Sequence, residues 1–204
     1  GFRAIAGNHD FIALERWDEW RRTGVLPPAD DHGAWDYVRD LREQDLEYLK
    51  GLPLTMTLPD QGTLLVHAGL VPGIALDQQS LLDMVTMRNL VLMESGGESP
   101  TYAANTGDAG DAWAKVWDGQ VHCKSFPAPH DLVIFGHDAP RGLQQYSHVL
   151  GLDTNCCNGG HLSACILPGR TLVQVPALGK LRKTADGTAR EWHSLWALDG
   201  NCKP

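Results

Sequence analysis

Three short apolar runs in this chain end in the same way. "AIAGNHD", "LLVHAGL" and "VIFGHDA" each bring a histidine (His9, His67 or His137) to the end of a hydrophobic stretch, beside a small residue. Short apolar runs bounded by such residues read as buried strands. The three imidazoles therefore fall where strands give way to loops, and in an open α/β sheet that edge is where ligands bind. One histidine at such a place is ordinarily a hydrogen-bonded structural residue. Three, with Asn8 beside one of them, favour a site. Asn8 offers a carbonyl oxygen and the imidazoles offer nitrogens, a mixed set that suits Mn, Fe, Co or Zn better than Mg or Ca.

Composition limits what such a site can serve. A chain of 204 residues, 43% hydrophobic, fits one domain with an ordinary core. A net charge of −8 argues against a protein that holds DNA by its phosphates. It leaves a phosphorylated substrate open, because bound cations invert the local charge. No run approaches the ~20 apolar residues of a membrane-spanning helix. Five cysteines, an odd number without C-x-x-C pairs, fit neither a disulfide framework nor a thiolate zinc site. Cys156 and Cys157 are expected to be buried small apolar residues, and a reducing, cytoplasmic setting is favoured.

Periodicity outlines a mixed α/β chain with helices early and strands late. "RAIA" reads as a strand end with Gly7 as a sharp exit, and "FIALERWDEWRR" as a helix with Phe11, Leu14, Trp17 and Trp20 on one face. "DYVRDLREQDLEYLKGLP" reads as a second helix ended by Gly51 and Pro53. "LTMTLPDQGTLLVHAGL" reads as a hairpin, "DQQSLLDMVTMRNLVLM" as a helix and "ESGGESPTYAANTGDAGD" as a long surface loop. "DLVIFGHD", "HVLGLD", "HLSACIL" and "TLVQVP" read as strands.

The ordered set Gly7-Asn8-His9-Asp10, His67-Ala68-Gly69 and Gly136-His137-Asp138 resembles the last three metal-site motifs of the phosphoprotein phosphatase branch of calcineurin-like metallophosphoesterases. "MRNL", "WAKVW", "FGHDAPRGLQ" and "GLDTNCCNGGHLSACILPG" look like the eukaryotic ApaH-like phosphatases, relatives of bacterial diadenosine tetraphosphatases. The resemblance runs from Arg3 to about Ala177. It implies a metallophosphoesterase domain over 1–177, a β-sandwich of mixed sheets flanked by helices, followed by a solvated tail over 178–204. It implies that Asn8, His67 and His137 are metal ligands and that His9 is a general acid, with Asp10 orienting the loop or the His9 ring. Arg141 and Arg88 would contact substrate phosphate. The activity implied is hydrolysis of phosphoric monoesters or phosphoanhydrides by a water activated between two divalent metals, Mn, Fe or Zn. Substrates among such relatives are phosphoproteins, dinucleoside polyphosphates, polyphosphate and capped RNA.

The pattern departs from the family in two places. The D-x-H and G-D-x-x-D motifs that precede GNH, and supply the first metal and the bridging carboxylate, have no counterpart in Gly1 to Ala6. Asp30-Asp31-His32-Gly33 and Gly107-Asp108-Ala109-Gly110-Asp111 spell similar words but lie downstream, in loops without a preceding apolar strand. The chain therefore reads as a fragment lacking its first βα units, with at most one partial metal site and little activity alone. Asn155-Cys156-Cys157-Asn158 also differs from the family, which has Gly at the first of these positions. The competing reading is a pseudophosphatase, a fold kept for binding partners; a mononuclear hydrolase would have only three neutral ligands.

Overall fold

In this computed structural model residues 1–26, 28, 35–94, 100–121 and 130–178 are described. Along the chain come α1 (Asn8–Thr23), α2 (Glu43–Lys50), β1 (Thr55–Leu58), β2 (Thr63–Val66), α3 (Leu81–Thr86), β3 (Asn89–Glu94), β4 (Thr101–Asn105) and β5 (Asp111–Ala112). After these come α4 (Trp113–Val121), β6 (Leu132–Phe135), β7 (Gln144–Gln145), β8 (Val149–Gly151), β9 (His161–Ile166) and β10 (Thr171–Pro176). The architecture is mixed α/β, with sheets flanked by helices, as the sequence led us to expect.

The sheet that positions the site has five strands in the order β1-β2-β6-β8-β7. Its middle three, β2, β6 and β8, run parallel, with Leu65 opposite Ile134 and Ile134 opposite Leu150. Parallel strands are buried on both faces and read as continuous apolar runs, which is what "LVIF" is: Leu132, Val133, Ile134 and Phe135 are all buried. One face packs on a core built around Trp113, Met87, Leu64, Leu70 and Trp117. The Trp113 and Phe135 rings meet edge to face at 4.7 Å, a favoured aromatic geometry. A three-stranded antiparallel sheet, β4-β3-β5, and the β9–β10 hairpin complete the described strands.

Several boundaries differ from the periodicity reading, each for a local reason. "RAIA" is in no strand; the backbone bond recorded for this stretch is Ala6 N–H to the Pro53 carbonyl at 2.8 Å. The second helix is broken in two. A 3₁₀ turn over Asp36–Asp40 ends at Leu41 in extended backbone, and the Asp45 carboxylate then accepts the Arg42 N–H at 2.9 Å, capping a fresh start for α2. The run 77–93 is α-helical only over α3, after a 3₁₀ turn at Leu76–Gln78: Met87 is extended (φ −65°, ψ 148°) and the apolar residues beyond it form β3. Thr101–Asn105, expected in a loop, pairs with β3 as β4. Cys157 is exposed and Cys156 half-buried, so this pair is not the buried apolar couple expected. The tail from 179 onward, the Asp30-Asp31-His32-Gly33 motif, His122, His193, Cys123 and Cys202 lie outside the described residues.

Gly69 sets a packing limit just beyond the second histidine motif. A Cβ there would lie 2.8 Å from both Met87 Cγ and Trp113 Cδ2, with Met87 Sδ closer still. Gly69→Ala is expected to destabilise the fold by about 1–3 kcal/mol through overpacking, read as a lower midpoint in urea unfolding with unchanged m-value.

Candidate active site

β2 and β6 are neighbours and parallel, so their C-terminal ends lie side by side. His67 is the residue after β2, and His137 is the second residue after β6. The Gly136 N–H donates to the His67 carbonyl at 2.9 Å and locks the two ends together. The two imidazole rings stand 5.1 Å apart, tilted at 58°. His137 carries φ +65°, a strained setting for a residue with a side chain. Such outliers concentrate at functional sites.

Asn8 arrives from the other side, at the start of α1. Its Oδ1 lies 3.0 Å from His67 Nε2. Asp10 holds this start in place, its carboxylate accepting the Gly7 N–H at 2.7 Å. Of the two tasks expected of Asp10, this bond serves the loop. Gly7 itself has φ −117°, which any residue can adopt, so the sharp exit expected there is not what requires glycine. The requirement is space: a Cβ on Gly7 would sit 2.7 Å from His67 Cε1 and Nδ1. Gly7, Asn8, His9, Asp10, His67, Thr86, Arg88, His137 and Asp153 line one open cleft of about 730 Å³. His9 is exposed on its wall.

Both inner histidines are held neutral. Burial pushes His67 from 6.5 to about 4, and the nearby charges of His137 and His9 add to the effect. Burial also lowers His137, with Arg88 pushing the same way against the Thr86 hydrogen bond and the Asp138 and Asp153 carboxylates. Thr86 O can only accept, so at 3.1 Å His137 Nε2 carries the proton and Nδ1 keeps its lone pair. Neutral imidazoles are the form that binds metal. Asn8 Oδ1 can likewise only accept, so at 3.0 Å it holds the proton of His67 Nε2; a cation bound there would take the place of that proton, and the two atoms stand about as far apart as two ligands of one ion. The donor set therefore fits part of a divalent-cation site. Among the described residues no group of three or more His, Cys, Asp or Glu side chains is disposed to hold a metal.

The two arginines are placed unequally. Arg88 lines the cleft. Arg141 is exposed but engaged: one terminal nitrogen donates to Asp138 Oδ2 at 2.6 Å and the other to Asn89 Oδ1 at 2.6 Å. Asp108 and Asp111, from the downstream Gly-Asp-x-x-Asp stretch, are exposed, and Asp111 faces Lys115 at 3.4 Å. Two residues escape the sequence reading. Asp153 follows β8, the third parallel strand, and lines the cleft. "HVLGLD" has the same strand-end form as the histidine motifs, with Asp in place of His. Asp138 belongs to the Gly136-His137-Asp138 motif, which by itself assigns it no task; it is 2% exposed.

No family model matches the chain. Two bacterial proteins named symmetrical bis(5'-nucleosyl)-tetraphosphatase do. One, from Methylobacillus flagellatus, is 52% identical over 213 aligned residues, covering 84% of this chain and 73% of that protein. The other, from Janthinobacterium, is 27% identical over 210 residues, covering 85% and 74%. Among solved structures, a candidate diadenosine tetraphosphatase superposes with a TM-score of 0.66 at 30% identity, covering 86% of this chain and 68% of its own.

The depressed His67 fixes the sign of a pH effect. Between pH 6.5 and about 4 the unfolded chain takes up a proton that the folded chain refuses. Stability is therefore full above pH 6.5 and falls as pH drops toward 4, by roughly 3 kcal/mol from this residue. Chemical denaturation of metal-free protein across that range should show the slope, and His67→Asn should flatten it. Gly7→Ala should push the His67 ring aside and weaken Mn or Zn uptake about tenfold or more, measured by calorimetric titration.

Proposed function

The chain belongs to the symmetrical bis(5'-nucleosyl)-tetraphosphatase family of calcineurin-like metallophosphoesterases, metal-dependent phosphoanhydride hydrolases, and on that footing we propose that its cleft cleaves a dinucleoside polyphosphate. The observation that carries this reading is the meeting of Asn8, His67, His137, His9 and Arg88, from four separate stretches of chain, in one cleft. The catalytic domain on this reading is 1–177. A pseudophosphatase finds no support in the relatives, both of which are named as hydrolases.

Asn8, His67 and His137 would hold a divalent cation, which supplies Lewis acidity toward a phosphoryl oxygen and toward the attacking water. Everything else falls to the chain's own side chains. Arg88 neutralises charge on the phosphate chain, which becomes most negative on the oxygens that the reaction releases. His9 sits exposed at the cleft wall, one residue from Asn8, and gives its proton to the departing phosphate oxygen as the P–O bond breaks. Water supplies the oxygen that replaces it on phosphorus. Asp10 and Gly7 keep Asn8 and the His67 ring in contact. Symmetrical cleavage of a tetraphosphate bridge then yields two nucleoside diphosphates.

The test assays the full-length, metal-loaded protein on diadenosine tetraphosphate, inorganic polyphosphate, a capped RNA and a phosphopeptide. Release of ADP from diadenosine tetraphosphate, faster than turnover of the other three, is the expected result. Preferential release of phosphate from the phosphopeptide or polyphosphate overturns the substrate assignment. His9→Ala should retain bound metal and lose about 10²–10⁴-fold in kcat. Unchanged kcat would remove His9 from the acid role.

A further inference from the structure

The end of β6 carries a buried ionic cluster that the reading above leaves unused. Asp138 lies between two guanidinium groups with its side chain 3% exposed. Its Oδ2 is saturated: it accepts from Arg141 at 2.6 Å and from Gln144 Nε2 at 3.0 Å. Its Oδ1 is buried and has no hydrogen-bond partner among the described residues. The nearest cation to it is Arg88, whose Nε stands 3.9 Å away and is likewise buried without a hydrogen bond. A buried N–H and a buried carboxylate oxygen therefore face each other, in ion-pair range but short of a bond.

The neighbours make this arrangement directional. Arg141 cannot swing toward the cleft without breaking its bonds to Asp138 and Asn89. Asn89 is itself fixed, 1% exposed, with Nδ2 donating to the Gly107 carbonyl at 2.6 Å. Asn89 is also the next residue after Arg88, so Arg141 grips the backbone that carries the cleft arginine. The Arg88 peptide is tied on both sides, its N–H to Asn105 and its carbonyl to Trp113. Its guanidinium also donates to the Thr106 carbonyl at 3.3 Å. Two guanidiniums and one carboxylate leave a surplus of one positive charge, and Arg88 is the member that lines the cleft.

We propose that Asp138 is a positioning residue for Arg88: a buried carboxylate, anchored through one oxygen by Arg141 and Gln144, that holds the Arg88 guanidinium over the cleft through the other. Arg141 on this account serves the phosphate site from behind and does not contact substrate. A neutral amide at 138 leaves two like charges facing each other without their counterion. Arg88 is the freer of the two and is driven out of register with the phosphate chain. The inference rests on the reading of the cleft as a phosphoanhydride hydrolase site.

The test is a double-mutant cycle in the full-length, metal-loaded protein, using Asp138→Asn, Arg88→Ala and the pair. Asp138→Asn is expected to lower kcat/KM for diadenosine tetraphosphate by about 10–100-fold with metal content unchanged. In the Arg88→Ala background the same substitution should cost less than about threefold, because residues that act through one another are strongly non-additive. A merely structural role gives equal losses in both backgrounds, and that result overturns the proposal. If Asp138→Asn does not fold, Arg141→Lys takes its place in the cycle: it keeps a charge opposite Asp138 and loses the bridge to Asn89. If the parent protein hydrolyses none of the substrates, the hydrolase reading fails by itself. The cycle is then read from calorimetric affinity for inorganic tripolyphosphate, where non-additivity supports the latch and additivity sinks it.

Discussion

The contact between Gly7 and the His67 ring joins the two halves of the site. The ring packs where a Cβ would be, so the start of α1 can lie directly against the ends of the parallel strands. Asn8 Oδ1 reaches His67 Nε2 only because of that closeness. Asp10, by capping Gly7, removes the freedom that glycine would otherwise give the turn. The glycine of the first motif thus acts through space, on a residue 60 positions away. His67 is in turn locked to the next strand by the Gly136 N–H, and through it to His137. One steric constraint sets the spacing of three side chains.

The cleft is electrostatically mixed. The chain as a whole is acidic, at −8, and the cleft sets three histidines and Arg88 beside the carboxylates of Asp10 and Asp153. Burial keeps His67 and His137 uncharged near neutral pH, and Arg88 reinforces this for His137. Neutral ligands bring no charge to a cation, so the carboxylates closest at hand matter. Asp153 faces His137 from the third parallel strand, and Asp138 balances two guanidiniums just beneath. A site that handles polyanions needs positive charge that does not collapse onto its own carboxylates. On the proposed reading Asp138, buried against Arg141 and Gln144, steadies Arg88 without cancelling both guanidinium charges.

The sequence was a fair guide to strands and a poor one to the joins between elements. "LVIF", "TLLV", "HLSACI" and "TLVQVP" are strands, as continuous or alternating apolar residues in short runs bounded by turn residues favour. The errors lie where periodicity carries no information about partners. "RAIA" has strand composition but no neighbouring strand among the described residues, and its one recorded backbone bond goes to Pro53. Leu90 and Val91 satisfy a helical pattern equally well; Met87 in extended backbone and pairing with Thr101–Asn105 decide for a strand. Asp45 splits one expected helix in two through a side-chain bond that composition does not announce.

By itself the sequence determined the family, and with it which residue types stand at the cleft. Asn8, His9, His67 and His137 are legible because each sits in a short motif whose chemistry and local backbone are set by adjacent residues. Tertiary structure alone decided the rest. Arg88 lines the cleft, while Arg141 closes onto Asn89 and Asp138 across 52 and 3 positions of chain. Asp153 enters the site because β8 runs parallel to β6 in a register that puts Gly151 beside Phe135. The physical reason is the same in both cases. A residue's type is local information, but whether its charge meets solvent, substrate or a buried counterion depends on strand order and register, which join segments that the chain keeps far apart.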